Sequence, residues 1–162
     1  METDFRKMSG GRPCEAGIDE ALEIATRQLR GMKDLAGNPE ILHATAVGLA
    51  GKTRDEQIVG FLHDIVEDTD WTFGMFEELG FSDEVVAALR LLTHDTERYT
   101  YMEYIDNICR SGNELAIAVK VNDLRHNIWR AEQSGLRKYW VLHYEAIRYM
   151  EHTLGKDFRC AV

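Results

Sequence analysis

Only 2 prolines interrupt this 162-residue chain, and apolar residues recur at intervals of three and four along nearly all of it. Proline removes a backbone donor and clashes with the preceding turn, so its scarcity leaves long stretches free to be helical. The three-and-four spacing gathers apolar side chains on one face of each stretch. The expectation is an all-α chain, folded as a single bundle of about eight helices with short loops.

The helices are expected at 18–32, from 40 onward around His43, and at 54–67, 71–79, 82–92, 100–110, 114–131 and 136–154. Ala21, Leu22, Ala25 and Leu29 share one face of the first. Leu42, Ala46 and Leu49 are the expected packing residues of the second. Ile58, Phe61, Leu62 and Ile65 pack the third, and Val85, Val86, Leu89 and Leu92 pack the helix after Ser82. Ser82 and Asn113 have the side chains that cap helix N-termini, and Asp83 and Glu84 complement the helix dipole. Trp129, Trp140 and Tyr144 read as core or interface residues. Gly10, Gly11, Pro13 and Gly17 suggest a flexible head over 1–17, ahead of one domain at 18–162.

A formal charge of −9 excludes nucleic-acid binding through the general field of the protein. The same charge repels phosphorylated substrates unless a bound cation or a local basic cluster offsets it. Cys14, Cys109 and Cys160 are odd in number and lack C-x-x-C spacing, which reads as free thiols in a reducing compartment. No apolar run approaches membrane-spanning length, and no signal pattern opens the chain. A cytoplasmic protein with no membrane partner is expected, of unknown oligomeric state.

Chemistry concentrates in the run His63-Asp64-Ile65-Val66-Glu67-Asp68. Glu67 lies one helical turn after His63, and Asp68 one turn after Asp64. His43 and Asp123 sit in apolar stretches elsewhere, Asp123 on the stripe of Leu115 and Val119. Burying an unpaired carboxylate is costly, and metal coordination removes that cost. Two imidazoles and two carboxylates suit Mn²⁺, Fe²⁺, Co²⁺ or Zn²⁺ and leave positions open for water and substrate. Glu67 and Asp68 remain for proton transfer.

These residues, with Ile41-Leu42-His43, Leu92-Thr93-His94-Asp95, Tyr101-Met102-Glu103-Tyr104-Ile105 and Lys120-Val121-Asn122-Asp123-Leu124-Arg125-His126-Asn127, resemble the HD-domain phosphohydrolases. Among those, the chain is most similar to the hydrolase domain of the RelA/SpoT family and the small alarmone hydrolases, over about 18–154. The resemblance implies one Mn²⁺ (or another divalent transition metal) held by His43, His63, Asp64 and Asp123. It implies Glu67 and Asp68 as the residues that activate water, and a nucleotide substrate, (p)ppGpp, that loses its 3′-pyrophosphate. Asn127 matches a nucleotide-contacting position, and Lys120 one turn before Asp123 is placed to neutralise phosphate. The family's basic pair upstream of the first histidine is replaced here by Asp34 and Leu35, and its His-Pro by His43-Ala44. Arg27, Arg30 and Lys33 are the nearby cations left to meet a substrate. Two alternatives stay open: the same chemistry on another nucleotide or phosphate ester, and a nucleotide-binding HD domain without turnover.

Overall fold

Capping side chains set where several helices begin. Thr53 Oγ1 accepts from Glu56 N, Ser82 Oγ from Val85 N, and Asn113 Oδ1 from Ala116 N. At Thr100 the cap is reciprocal: its hydroxyl accepts from Glu103 N, and the Glu103 carboxylate accepts from Thr100 N at 2.8 Å. Each cap satisfies backbone donors that the first helical turn leaves unpaired.

The computed structural model describes residues 15–158. Among them the elements are α1 (Ile18–Gln28), α2 (Ile41–Leu49), α3 (Arg54–Leu62), α4 (Ile65–Asp68), α5 (Phe73–Glu78), α6 (Asp83–Leu92), α7 (Tyr101–Ser111), α8 (Glu114–Gln133) and α9 (Arg137–Leu154). The described residues form no β-sheet; a single isolated bridge joins Lys33 and Pro39. The expected head spans 1–17, of which 1–14 lie outside the described residues. Ala16 is buried, donates its N–H to Gly80 O at 3.1 Å and accepts from Arg54 at its carbonyl.

The long helix α8 is the axis of the bundle. It packs against α2, α3, α6, α7 and α9, with Ile117, Val121 and Leu124 in the core. The apolar faces expected for α1, α3 and α6 supply much of the rest, including Ala21, Ala25, Leu29, Ile58, Leu62, Val85 and Leu89. Burying the leucine, isoleucine and valine side chains among these contributes roughly 1.5–3 kcal/mol each before chain entropy is counted.

The structure corrects two readings. First, α2 does not pack through Leu42 and Leu49, which are 59% and 68% exposed. Its buried face is His43, Ala44, Val47 and Gly48. Small residues decide this register: a Cβ on Gly60 would come within 2.7 Å of Gly48 Cα, so α2 and α3 meet backbone to backbone. Leucines at that seam would hold the helices apart. Second, of the core-or-interface reading for Trp129 and Tyr144, the core half fails, because both are exposed. The residue spacing placed them on helices correctly, but each helix buries a narrower face than aromatic content alone suggests.

The expected helix at 54–67 is divided into α3 and α4, which raises the number of helices to nine among the described residues. The division falls on His63 and Asp64, and it matters for chemistry.

Candidate metal centre

In an uninterrupted helix, consecutive side chains point about 100° apart and cannot easily share one target. Asp64 escapes this geometry. Its backbone sits at φ −98° and ψ −3°, near the bridge region where chains turn out of regular helix. The break brings Asp64 Oδ2 to 3.1 Å from His63 Nε2. The close seam between α2 and α3 then delivers His43, whose Nε2 lies 3.3 Å from His63 Nε2 and 3.7 Å from Asp64 Oδ2. Asp123, midway along α8, closes the cluster with Oδ1 at 3.0 Å from His43 Nε2 and 3.5 Å from His63 Nε2. Ligands held at about 2.1 Å from one ion lie roughly 3.0–3.4 Å from each other, so these spacings suit a single metal.

The hydrogen bonds behind the cluster orient the rings. His63 Nδ1 lies 2.7 Å from Gly60 O. A carbonyl only accepts, so Nδ1 carries the proton and donates it, leaving Nε2 as the atom with the free lone pair. That lone pair faces two carboxylate oxygens and a second imidazole nitrogen. Such a convergence of acceptors requires a cation among them, either a proton or a metal. Without metal, burial works to lower the pKa of His63, but the charges and hydrogen bonds of Asp64 and Asp123 outweigh it and hold the imidazolium well above the usual histidine range. The donor set therefore fits a divalent transition metal, and His43, His63 and Asp64 have ligand atoms all within 4.8 Å of one another.

Asp123 is supported on both oxygens. Burial would raise its pKa, but the buried Lys120 ammonium and the two histidines hold it well below the usual carboxylate range. Lys120 Nζ donates to Oδ2 at 2.8 Å, and Asn127 Nδ2 donates to Oδ1 at 2.7 Å. The three residues lie one turn apart on the same face of α8.

Glu67 and Asp68 project from the far end of α4 beside the cluster. Both retain solvent access through the cavity mouth, yet crowding by protein atoms penalises their charge. Burial, reinforced by the negative Asp64, pushes Glu67 up to about 7 and Asp68 up to about 6. The backbone N–H of His94 donates to Glu67 Oε1 at 2.5 Å and fixes its direction. Two carboxyls titrating near neutrality beside a candidate metal-ligand cluster are suited to moving protons.

Two cavities meet at Asp64, Glu67 and Asn127. One, of about 360 Å³, opens along the α1–α2 loop and reaches Lys33, Asp34, Asp68 and Arg130. The other, of about 260 Å³, runs inward to Tyr101, Lys120 and His143. Lys33 thus lines the site. Arg27 does not: it lies on the outer face of α1, opposite Ala21 and Ala25, with its guanidinium 3.0 Å from Glu23.

Two neighbours, His126 and Arg130, were not singled out from the sequence. His126 Nδ1 meets His43 Nδ1 at 2.7 Å, the position from which it fixes the His43 ring. Its place one turn after Asp123 was the available signal. Arg130 donates to Asn127 Oδ1 and to Glu40 Oε1, at 2.8 and 3.0 Å. Asp34 has a structural task in this loop, accepting from the backbone N–H groups of Ala36 and Asn38.

No family model matches the chain, and no curated protein matches it. Among solved structures, it is similar to one described as a metazoan orthologue of SpoT that hydrolyses ppGpp and plays a role in starvation responses. The TM-score is 0.71 at 23% sequence identity, over 88% of this chain and 90% of that one. The chain therefore shares the all-α HD-domain fold of that structure.

Proposed function

We propose that this chain is a cytoplasmic, Mn²⁺-dependent phosphohydrolase whose leading activity is removal of the 3′-pyrophosphate from (p)ppGpp. The observation that carries the reading is the convergence of His43, His63, Asp64 and Asp123 beside two carboxyls poised near neutrality. The shared fold with a ppGpp hydrolase supports it further. In this reading those four residues hold the ion. A bound divalent cation supplies Lewis-acid charge that eases deprotonation of water and negative charge on a phosphoryl group.

The chain's own residues do the rest. Glu67 and Asp68 take the proton of the attacking water and return one to the departing 3′ oxygen. The bond between water oxygen and the proximal phosphorus forms as the bond from phosphorus to the 3′ oxygen breaks, giving pyrophosphate and GDP or GTP. Asn127 and Lys120 hold Asp123 in place and border the substrate. Lys33 offers a cation at the outer cavity.

A second reading keeps the chemistry and changes the substrate to a nucleotide with fewer phosphates. It is favoured by Arg130, whose charge is already matched by Glu40 at 3.0 Å and approached by Asp34 at 3.9 Å. The test is product identification by phosphorus NMR, with ppGpp and a panel of nucleoside mono-, di- and triphosphates offered to the Mn²⁺-loaded protein. Pyrophosphate and GDP from ppGpp support the first reading. Turnover confined to another nucleotide supports the second.

A further inference from the structure

The inner cavity contains two polar atoms that the fold leaves unsatisfied. Tyr101 Oη and His143 Nδ1 are both buried without a hydrogen-bond partner among the described residues. Leaving a polar group in that condition costs about 1–3 kcal/mol, so native proteins seldom keep one without a use. Here there are two, from different helices, α7 and α9. Their rings are neighbours, with centroids 6.1 Å apart, and both line the same 260 Å³ space.

Lys120 lines that space too, and supplies its positive charge. The residue is 6% exposed, and its Nζ sits 4.9 Å from the Tyr104 ring centroid and 5.6 Å from that of Tyr101. Asp123 takes one of its three N–H donors. The aromatic rings keep the ammonium in place through cation–π attraction.

We propose that Tyr101, His143 and Lys120 form an anion subsite beside the metal centre, which holds the non-bridging oxygens of the pyrophosphate product. The proposal rests on the phosphohydrolase reading and adds to it where the cleaved group resides. The buried Lys120 ammonium and the Tyr101 O–H select an anion over a second cation. Burial holds the Tyr101 phenol above its ordinary range, so it keeps its O–H. Burial likewise pushes His143 down to about 4, so it is a neutral imidazole with one N–H to offer. The volume accommodates a small inorganic anion, and the adjoining outer cavity along the α1–α2 loop is open to the rest of a nucleotide.

Tyr101→Phe and His143→Gln separate this role from packing. The probe is inorganic pyrophosphate, titrated calorimetrically into wild type and each variant at matched free Mn²⁺, with thermal unfolding recorded in its absence. Each variant is expected to bind pyrophosphate about tenfold more weakly, since hydrogen bonds to charged groups are the stronger ones. Tyr101→Phe should unfold at the same temperature as wild type or higher, because it deletes an unsatisfied buried hydroxyl. Pyrophosphate affinity equal to wild type in both variants, or no affinity in wild type, overturns the subsite. Failure of the underlying reading looks different: wild type hydrolyses no nucleotide even though the affinity contrast between wild type and variants is present.

Discussion

Gly60 O accepts a hydrogen bond from His63 Nδ1 at 2.7 Å, and the same glycine abuts Gly48 on the neighbouring helix. One residue thus selects the lone pair that His63 turns toward Asp64 and sets how near His43 can come. The cluster depends on this seam between α2 and α3 as much as on its own side chains.

Gly60→Ala should therefore damage both stability and metal binding. The added Cβ would meet Gly48 backbone atoms at 2.7 and 2.8 Å, where no flexible side chain can yield. A loss of about 1–3 kcal/mol in chemical denaturation is expected from such overpacking. The surviving folded protein should bind Mn²⁺ more weakly, measured by calorimetry under conditions where it remains native.

His126→Ala should weaken Mn²⁺ binding while leaving the fold intact. The His126 ring is the partner of His43 Nδ1, and removing such a support typically costs about 10–100-fold in metal affinity. His126→Asn, which keeps a polar group near Nδ1, should recover part of the loss. Unchanged affinity in His126→Ala would mean that His43 is oriented by packing alone.

Glu67→Gln and Asp68→Asn should retain the metal and lose turnover. A positioned proton-transfer group is worth about 10²–10⁴-fold in rate. Steady-state kinetics alongside Mn²⁺ titration read the two effects separately. Loss of metal in either variant would place that carboxylate in the coordination sphere instead.

Stability should fall in acid partly because of His143. Burial, with help from Lys120 and Arg130 and against the pull of Asp123, lowers its pKa from 6.5 to about 4. Between those values the unfolded chain binds a proton that the folded chain does not. Folding is therefore favoured less as pH drops through this window. The side chain keeps partial solvent access, which reduces the full effect to roughly 1–2 kcal/mol. Denaturant midpoints at pH 7.5 and pH 5 should differ less in His143→Gln than in wild type. An equal difference would remove His143 from the acid response.

Much of this molecule is readable without coordinates, and the exceptions have physical causes. Apolar spacing marked the buried faces of α3 and α6, and Ser82 and Asn113 begin helices as cap chemistry requires. The side chains of His43, His63, Asp64 and Asp123 do converge, since each is a polar residue set in an apolar stretch that could be buried only in company. The break at Asp64 was not visible, because helix periodicity runs unbroken through Ile65 and no glycine or proline marks the turn. Leu42 and Leu49 were misplaced because the Gly48–Gly60 contact, which is tertiary, overrides hydrophobicity in choosing the face of α2. His143 carried no local signal at all; only the packing of α9 on α8 brings it to the inner cavity.

The central claim is that the four-residue centre drives hydrolysis of an alarmone, and pyrophosphate release from ppGpp tests it most directly. Purified protein with Mn²⁺ should release pyrophosphate, and Asp64→Ala, confirmed as folded, should not. No release by folded, Mn²⁺-loaded wild type, or equal release by the variant, would contradict the account.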